Sequence, residues 1–431
     1  MAFVGRKKEL AIVREVVASE KAELLILYGR RRLGKSTLLK KAIEKEPSAI
    51  YFQFFEESAE KNLHFFQEVL QSHFQNPLFA QVRASSWSSY FSLVKDSIPE
   101  NTLFIFDEFS YLIEQSRAIP SHFQKIYDEV LKPKNCKLIL CGSSTSIMTE
   151  LLEYKSPLYG RRTRSLELKE FSLKEISQFL AHITQKKELL SYAAIFGGIP
   201  YYLEQINQKQ SFEQNFKELF FEQKSFFHDE IKFLLKEEVR EMRNYFAILQ
   251  AIGFGKVLFS QIQQDALIEK SSLSKYLFVL EQIGVIKQQR SFFDKQHAKN
   301  RRYIIEDFFI HFWFTVFGRE TGNLQNKKIQ ENIINQRLAQ YLGLAFEKIC
   351  RNALASKYEK IGTFFRGIEI DILAKNNTKI DVFECKFSES ISRKALLEKM
   401  HEKIKQLPQG YTYTPHIICL EKKDLDFLFS L

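Results

Sequence analysis

No two of the five cysteines in this 431-residue chain (Cys136, Cys141, Cys350, Cys385, Cys419) form a C-x-x-C pair, and most lie inside apolar runs. That spacing excludes a zinc-ribbon site and a disulfide framework, and it fits a reducing cytoplasm. Long hydrophobic runs are also missing. The most apolar stretch, residues 304–317, is broken by Glu306, Asp307 and His311 and is shorter than the ~20 residues a membrane helix needs. It predicts a buried, aromatic-rich helix, and no membrane partner is expected. At the N-terminus the chain turns basic and polar at Arg6-Lys7-Lys8, where the apolar core of a secretory leader would have to begin, so no leader is expected either. Acidic residues are the third shortage. Asp and Glu number 52 against 63 Lys and Arg, a formal charge of +11, with a pI near 9.1. An excess of this sign suits an anionic partner, nucleic acid above all. The competing explanation is a Lys- and Phe-rich chain, with 41 Phe, whose lysines are simply solvated.

What is present is a globular composition, 45% hydrophobic and 27% charged, in a chain long enough for about three domains at ~150 residues each. Near its start stands Gly29-Arg30-Arg31-Arg32-Leu33-Gly34-Lys35-Ser36-Thr37, a full G-x-x-x-x-G-K-S phosphate loop. It follows an apolar strand-like run, residues 24–28, and opens a helix-like one. The glycines let backbone N–H groups turn inward on a phosphate, and the helix N-terminus adds partial positive charge. Lys35 would reach the β- and γ-phosphates and Ser36 would ligate Mg²⁺. ATP and Mg²⁺ are therefore the expected ligands.

A second apolar run ends in Asp107-Glu108, the pattern of a Walker B segment, with Asp107 holding Mg²⁺ and Glu108 orienting or deprotonating the attacking water. A third, residues 137–141, runs into Gly142-Ser143-Ser144. Ser143, in preference to Ser144, is the candidate for the γ-phosphate or the lytic water, and a plain Gly-Ser turn is the alternative. Helical patterns such as residues 62–73 and 122–131 alternate with these strands and predict a parallel sheet with helices on both faces. Together with Phe3-Val4-Gly5-Arg6, Tyr159-Gly160-Arg161-Arg162 and Gly197-Gly198-Ile199-Pro200, this order of motifs resembles the archaeal-type ATPases of the STAND/AAA+ group. The resemblance implies that Val4 and Gly5 lie near the adenine and that Pro200 belongs to a helical lid that senses the nucleotide. The chain departs from the usual opening by carrying Lys7 where an acidic residue follows the arginine. Arg161 or Arg162 would supply charge to the transition state, in cis or from a neighbouring subunit; capping a strand or meeting nucleic acid is the alternative.

Residues 171–238 read as helical. Beyond them, three helical patterns between residues 245 and 280 precede the extended basic Lys287-Gln288-Gln289-Arg290 and predict a winged helix-turn-helix. In a DNA-binding version the helix of residues 271–280 would enter the major groove with Ser272 and Lys275 outward. A protein-binding or spacer module is the alternative.

The C-terminal part carries Glu369-Ile370-Asp371, an Asn376-Asn377 turn and Asp381-Val382-Phe383-Glu384-Cys385-Lys386, which predicts a hairpin. With the loop centred between Asn377 and Thr378, Asp371 faces Glu384. Two facing carboxylates repel, Lys386 compensates in part, and a divalent metal resolves the rest. With Glu347 on a preceding helix, the pattern resembles the core of PD-(D/E)XK nucleases and the C-terminal domain that accompanies many archaeal-type ATPases. The resemblance implies metal held by Glu347, Asp371, Glu384 and the Cys385 backbone, with Lys386 orienting or activating water. Gln406 is either an extra polar contact or part of a solvated helix face.

The expected fold class is α/β. It comprises a P-loop ATPase core at 1–165, a helical lid and connector at 166–240, a winged helix-turn-helix at 241–320 and a restriction-endonuclease-like domain at 321–431. The expected function is an Mg²⁺-dependent ATPase acting on or regulated by nucleic acid, DNA before RNA, with a metal-dependent nuclease site. The alternative is a STAND-type ATP switch gating a protein partner or a homo-oligomer, with the nuclease fold silent.

Overall fold

The computed structural model describes residues 3–222, 225–238, 242–295, 301–318 and 327–431. The expected domain boundaries at 240 and 320 lie outside these residues. The chain divides into two compact units, Met1–Glu170 and Phe171–Leu431, and the architecture is α/β overall.

The first unit is built on a five-stranded sheet in the order β2-β3-β4-β1-β5. Its strands are β1 (Glu23–Tyr28), β2 (Ala49–Gln53), β3 (Leu103–Asp107), β4 (Lys137–Gly142) and β5 (Arg164–Glu167), and every pairing is parallel. All residues of β3 and β4 are buried, as central strands covered on both faces must be. Even-numbered side chains such as Leu24, Phe104, Phe106 and Leu138 join one aromatic-rich core. Odd-numbered ones such as Leu25, Leu27, Ile105 and Ile139 are equally buried on the other face. The edge strand β5 alternates half-buried and exposed residues and carries Arg164 and Glu167, charges that discourage further strand pairing.

The second unit begins with helices, among them Lys186–Phe196, Phe212–Phe220 and Phe227–Glu238. Next come Met242–Gly253, Phe259–Ala266 and Lys270–Gln282, then the antiparallel hairpin of β6 (Ile286–Arg290) and β7 (Arg301–Ile305), which shares one core with those three helices. The aromatic stretch expected as a buried helix is Phe308–Val316, with Phe308, Phe309, Phe312 and Phe314 buried. Among the described residues no helix is long and apolar enough to cross a membrane.

The chain continues through the helix Lys327–Leu354 into a mixed sheet of order β11-β10-β9-β8. Its strands are β8 (Lys360–Arg366), β9 (Ile368–Asn376), β10 (Lys379–Lys386) and β11 (Thr412–Cys419). β8, β9 and β10 form an antiparallel meander and β11 lies parallel to β10. That last pairing requires a crossover, and the helix Arg393–Ile404 supplies it.

Candidate functional site

The phosphate loop leaves β1 at Gly29, whose φ is +149° and where a Cβ would come within 2.4 Å of the Leu168 carbonyl oxygen. Only glycine fits, because the chain following β5 crosses directly over the loop. Gly34, at φ +84°, starts the helix Lys35–Ala42 from the left-handed region. Lys35 is buried and its ammonium donates to the carbonyls of Gly29 (2.8 Å) and Arg30 (3.0 Å). Burial, the largest influence, draws its pKa down despite the carboxylates nearby. Thr37 follows in the same helix, while Arg30, Arg31, Arg32 and Leu33 form the turn between the glycines.

Asp107, at the end of β3, is 1% exposed. One oxygen, Oδ2, accepts the Ser36 hydroxyl at 2.6 Å and the Tyr51 hydroxyl, and Oδ1 accepts the backbone N–H of Glu108 at 3.0 Å. Glu108 sits at φ +53°, and its Oε2 accepts the Ser143 hydroxyl at 2.6 Å. The Arg31 guanidinium donates to Ser143 Oγ at 3.4 Å and to the Tyr111 hydroxyl. Val4 and Gly5 are half-buried and precede Arg6, which donates to the Leu33 carbonyl at 3.3 Å and so ties the N-terminal segment to the loop. Loop lysine, loop serine, strand-end carboxylates and Ser143 therefore meet at the C-terminal ends of β1, β3 and β4. Arg161 pairs instead with Asp128 at 3.0 Å. Arg162 donates to the Leu152 carbonyl and lies over the Tyr159 ring. Pro200 lies in the second unit, where it opens the short helix Pro200–Leu203.

The second cluster sits on the mixed sheet. The β9–β10 register pairs Asn376 with Lys379 and continues to Ile372 with Phe383, so the next step sets Asp371 against Glu384. Asp371 Oδ2 accepts the backbone N–H of Cys385 at 2.8 Å. Lys386 lies 2.9 Å from Glu384 Oε1 and 3.7 Å from Asp371 Oδ2. Lys403, on the crossover helix, reaches Glu384 Oε2 at 3.1 Å. Burial and then Glu384 push the Asp371 pKa up. Burial would also raise Glu384, but Lys386 and Lys403 outweigh it and hold that carboxyl below its usual value. Glu347, half-buried on the helix Lys327–Leu354, is pushed up to about 8 by burial first and by Asp371 second. A site holding more carboxylates than its lysines can neutralise, with oxygen donors only, fits a hard divalent cation. Gln406 is exposed and bonds only locally, to the Glu402 carbonyl at 3.4 Å. Among the described residues, Cys419, Glu421 and Asp424 are the set whose ligand atoms all lie within 4.8 Å of one another. Arg393 already pairs with both of those carboxylates.

Tyr51, Tyr111 and Lys403 were not legible as site residues. Each comes from an element far along the chain from its partner and belongs to no motif.

The parallel sheet, the loop between β1 and its helix, and the paired strand-end carboxylates define a P-loop ATPase. Residues 3–206 match a family described as an ATPase domain predominantly from Archaea. Residues 313–404 match one described as "Archaea bacterial proteins of unknown function". The uncharacterized protein MJECL04 of Methanocaldococcus jannaschii is 34% identical over 386 residues, which span 87% of this chain and 84% of that protein. The chain belongs to this family of archaeal-type ATPases, and ATP is its ligand. Among solved structures, the Walker-type ATPase PABY2304 of Pyrococcus abyssi is 21% identical with a TM-score of 0.50, over 72% of this chain and 96% of that one. The ORC2 protein of Aeropyrum pernix, in ADPNP-ADP complexes, is 12% identical with a TM-score of 0.50, over 78% and 95%. At these identities the likeness is one of fold.

Proposed function

We propose that this ATPase is a cytoplasmic protein that works on nucleic acid, DNA before RNA, and that its second cluster is a PD-(D/E)XK-type phosphodiesterase centre. The observation that carries the reading is the facing pair Asp371 and Glu384, with Lys386 beside both and with Glu347, whose pKa burial raises, near enough for the two carboxylates to raise it further.

At the nucleotide site the backbone of residues 29–36 binds the phosphates and Lys35 leaves its loop carbonyls to meet the β- and γ-oxygens. Mg²⁺ held by Ser36 and Asp107 would neutralise charge that develops on the phosphates. Glu108, released from Ser143, orients the attacking water and takes its proton, and Ser143 then turns to the γ-phosphate. Val4 and Gly5 line the adenine side, Pro200 belongs to the lid, and Arg161 acts once it leaves Asp128. At the second site, a divalent cation held by Asp371, Glu384 and the Cys385 carbonyl, with Glu347 nearby, would polarise a phosphodiester. Lys386 orients the hydrolytic water there.

The helices of residues 242–282 with the β6–β7 hairpin support a winged-helix module. Lys275 is exposed on its third helix, Ser272 is half-buried, and Lys287, Arg290 and Arg301 add charge along the hairpin.

A STAND-type switch that gates a protein partner or a homo-oligomer is the second reading. Lys403 favours it by occupying a carboxylate that the metal would need. Phosphate release and DNA strand breaks, followed with and without DNA for the wild type, Lys35→Ala and Asp371→Ala, separate the two readings. DNA-stimulated turnover, with breaks lost only in Asp371→Ala, is expected. Turnover indifferent to DNA at low salt, with no breaks, gives the site to the switch.

A further inference from the structure

Tyr51 stands out in its strand. The run Ala49-Ile50-Tyr51-Phe52-Gln53-Phe54-Phe55 is aromatic at four of its seven positions, yet only this one carries a hydroxyl. Side-chain alternation sends Phe52 and Phe54 into the aromatic core and turns Tyr51 to the opposite face. On that face the parallel register sets Gln53 beside Asp107 and Tyr51 beside Ile105. A tyrosine two residues before the neighbour of Asp107 has the reach to meet its carboxylate, and the phenol donates to Oδ2. The same oxygen accepts Ser36. The ammonium of Lys40, one turn beyond Ser36 on the same helix, lies 5.4 Å from the ring centroid. Phenylalanine would fill the space equally well, so packing does not account for the hydroxyl.

We propose that Tyr51 is a positioning residue for ATP hydrolysis. Its hydroxyl fixes the rotation of the Asp107 carboxylate, so that Oδ2 stays aimed at Ser36 when the divalent cation accompanying ATP arrives. This rests on the reading that Ser36 and Asp107 hold that cation. Two donors on one oxygen, with the Glu108 N–H on the other, leave the carboxylate a single orientation. Without the phenol, Oδ2 depends on the Ser36 hydroxyl that the cation itself recruits, and the pair must be reordered each time metal binds.

The test is equilibrium binding of a fluorescent ATP analogue to the full chain, in EDTA and across an Mg²⁺ titration. The proteins are the wild type, Tyr51→Phe, Tyr51→Leu and Ser36→Ala. For Tyr51→Phe we expect affinity in EDTA within about twofold of wild type and an Mg²⁺-dependent gain reduced about tenfold, the scale of one hydrogen bond to a charged group. Tyr51→Leu should behave alike if it folds, since it also lacks the hydroxyl. A phenylalanine variant with the wild-type Mg²⁺ gain overturns the proposal, whatever its thermal stability. If Ser36→Ala leaves the Mg²⁺ gain intact, the cation reading itself fails. If Ser36→Ala loses the gain while Tyr51→Phe keeps it, only the role of Tyr51 fails.

Discussion

Each of the two polar clusters sets an aspartate on a strand, buried in the first and half-buried in the second, but they balance its charge by different means. Around Asp107 the hydrogen-bond donors include two hydroxyls and one backbone N–H, which carry no formal charge, while the nearby Lys35 ammonium donates to loop carbonyls instead. Around Asp371 and Glu384 the partners include two ammonium groups, Lys386 and Lys403, and a third carboxyl, Glu347, is pushed by burial and then by Asp371 to hold its proton up to about pH 8. Neutral donors orient a carboxylate while leaving its charge available to an incoming cation. Ammonium groups spend that charge in advance, so a cation must displace them or recruit Glu347. The first arrangement suits a metal that arrives and leaves with each nucleotide, and the second suits one whose entry is contested.

The bluntest way to break this contrast is at the first site. Lys35→Ala should lower ATP turnover by about 10²–10³-fold, the scale for removing one preorganised charge from a transition state, as read by phosphate release. If Mn²⁺ binding at the second cluster, followed by electron paramagnetic resonance, collapses with it, the two sites do not act as separate chemistries.

The second cluster offers a sharper cut. Lys403→Ala removes one of the ammonium groups competing for Glu384, and Mn²⁺ should bind there about two- to fivefold more tightly, in keeping with a partly exposed ion pair. Weaker binding would mean that Lys403 helps to build the cation site.

The smallest effect is a slope. A carboxyl whose folded pKa lies above its unfolded value binds its proton more tightly in the folded state, so its contribution to stability is full below the unfolded pKa. That contribution is lost as pH rises through the folded one. For Glu347 the window runs from 4.5 to about 8. Glu347→Gln should therefore flatten the decline in Tm across that interval, and a divalent cation should flatten it in the wild type by favouring the ionised form. Parallel Tm curves for variant and wild type would place Glu347 outside the cluster's charge balance.

The sequence was most informative where the geometry is local. The phosphate loop and Asp107-Glu108 occupy single turns, so residue type and spacing suffice to recognise them. The pairing of Asp371 with Glu384 was legible because a short turn, at Asn377-Thr378 and one residue beyond the expected Asn376-Asn377, sets the register of every residue behind it. Tyr51, Lys403 and the bond from Arg6 to Leu33 were not legible. They depend on strand order and crossover packing, which bring together residues 56, 19 and 27 positions apart. Nor does any pattern in the sequence show that Arg161 is engaged by Asp128, because an ion pair between two surface elements leaves no periodicity.

The crossing of Leu168 over Gly29 bears on how the protein is made. The phosphate-loop sequence leaves the ribosome before its surroundings, since β1 finds its neighbours in β4 and β5, more than a hundred residues later. Until residue 168 has emerged, nothing is present to hold the loop against β5, and the nascent chain carries the motif without its cradle. Nucleotide capture during synthesis should therefore appear abruptly once the chain has passed that length.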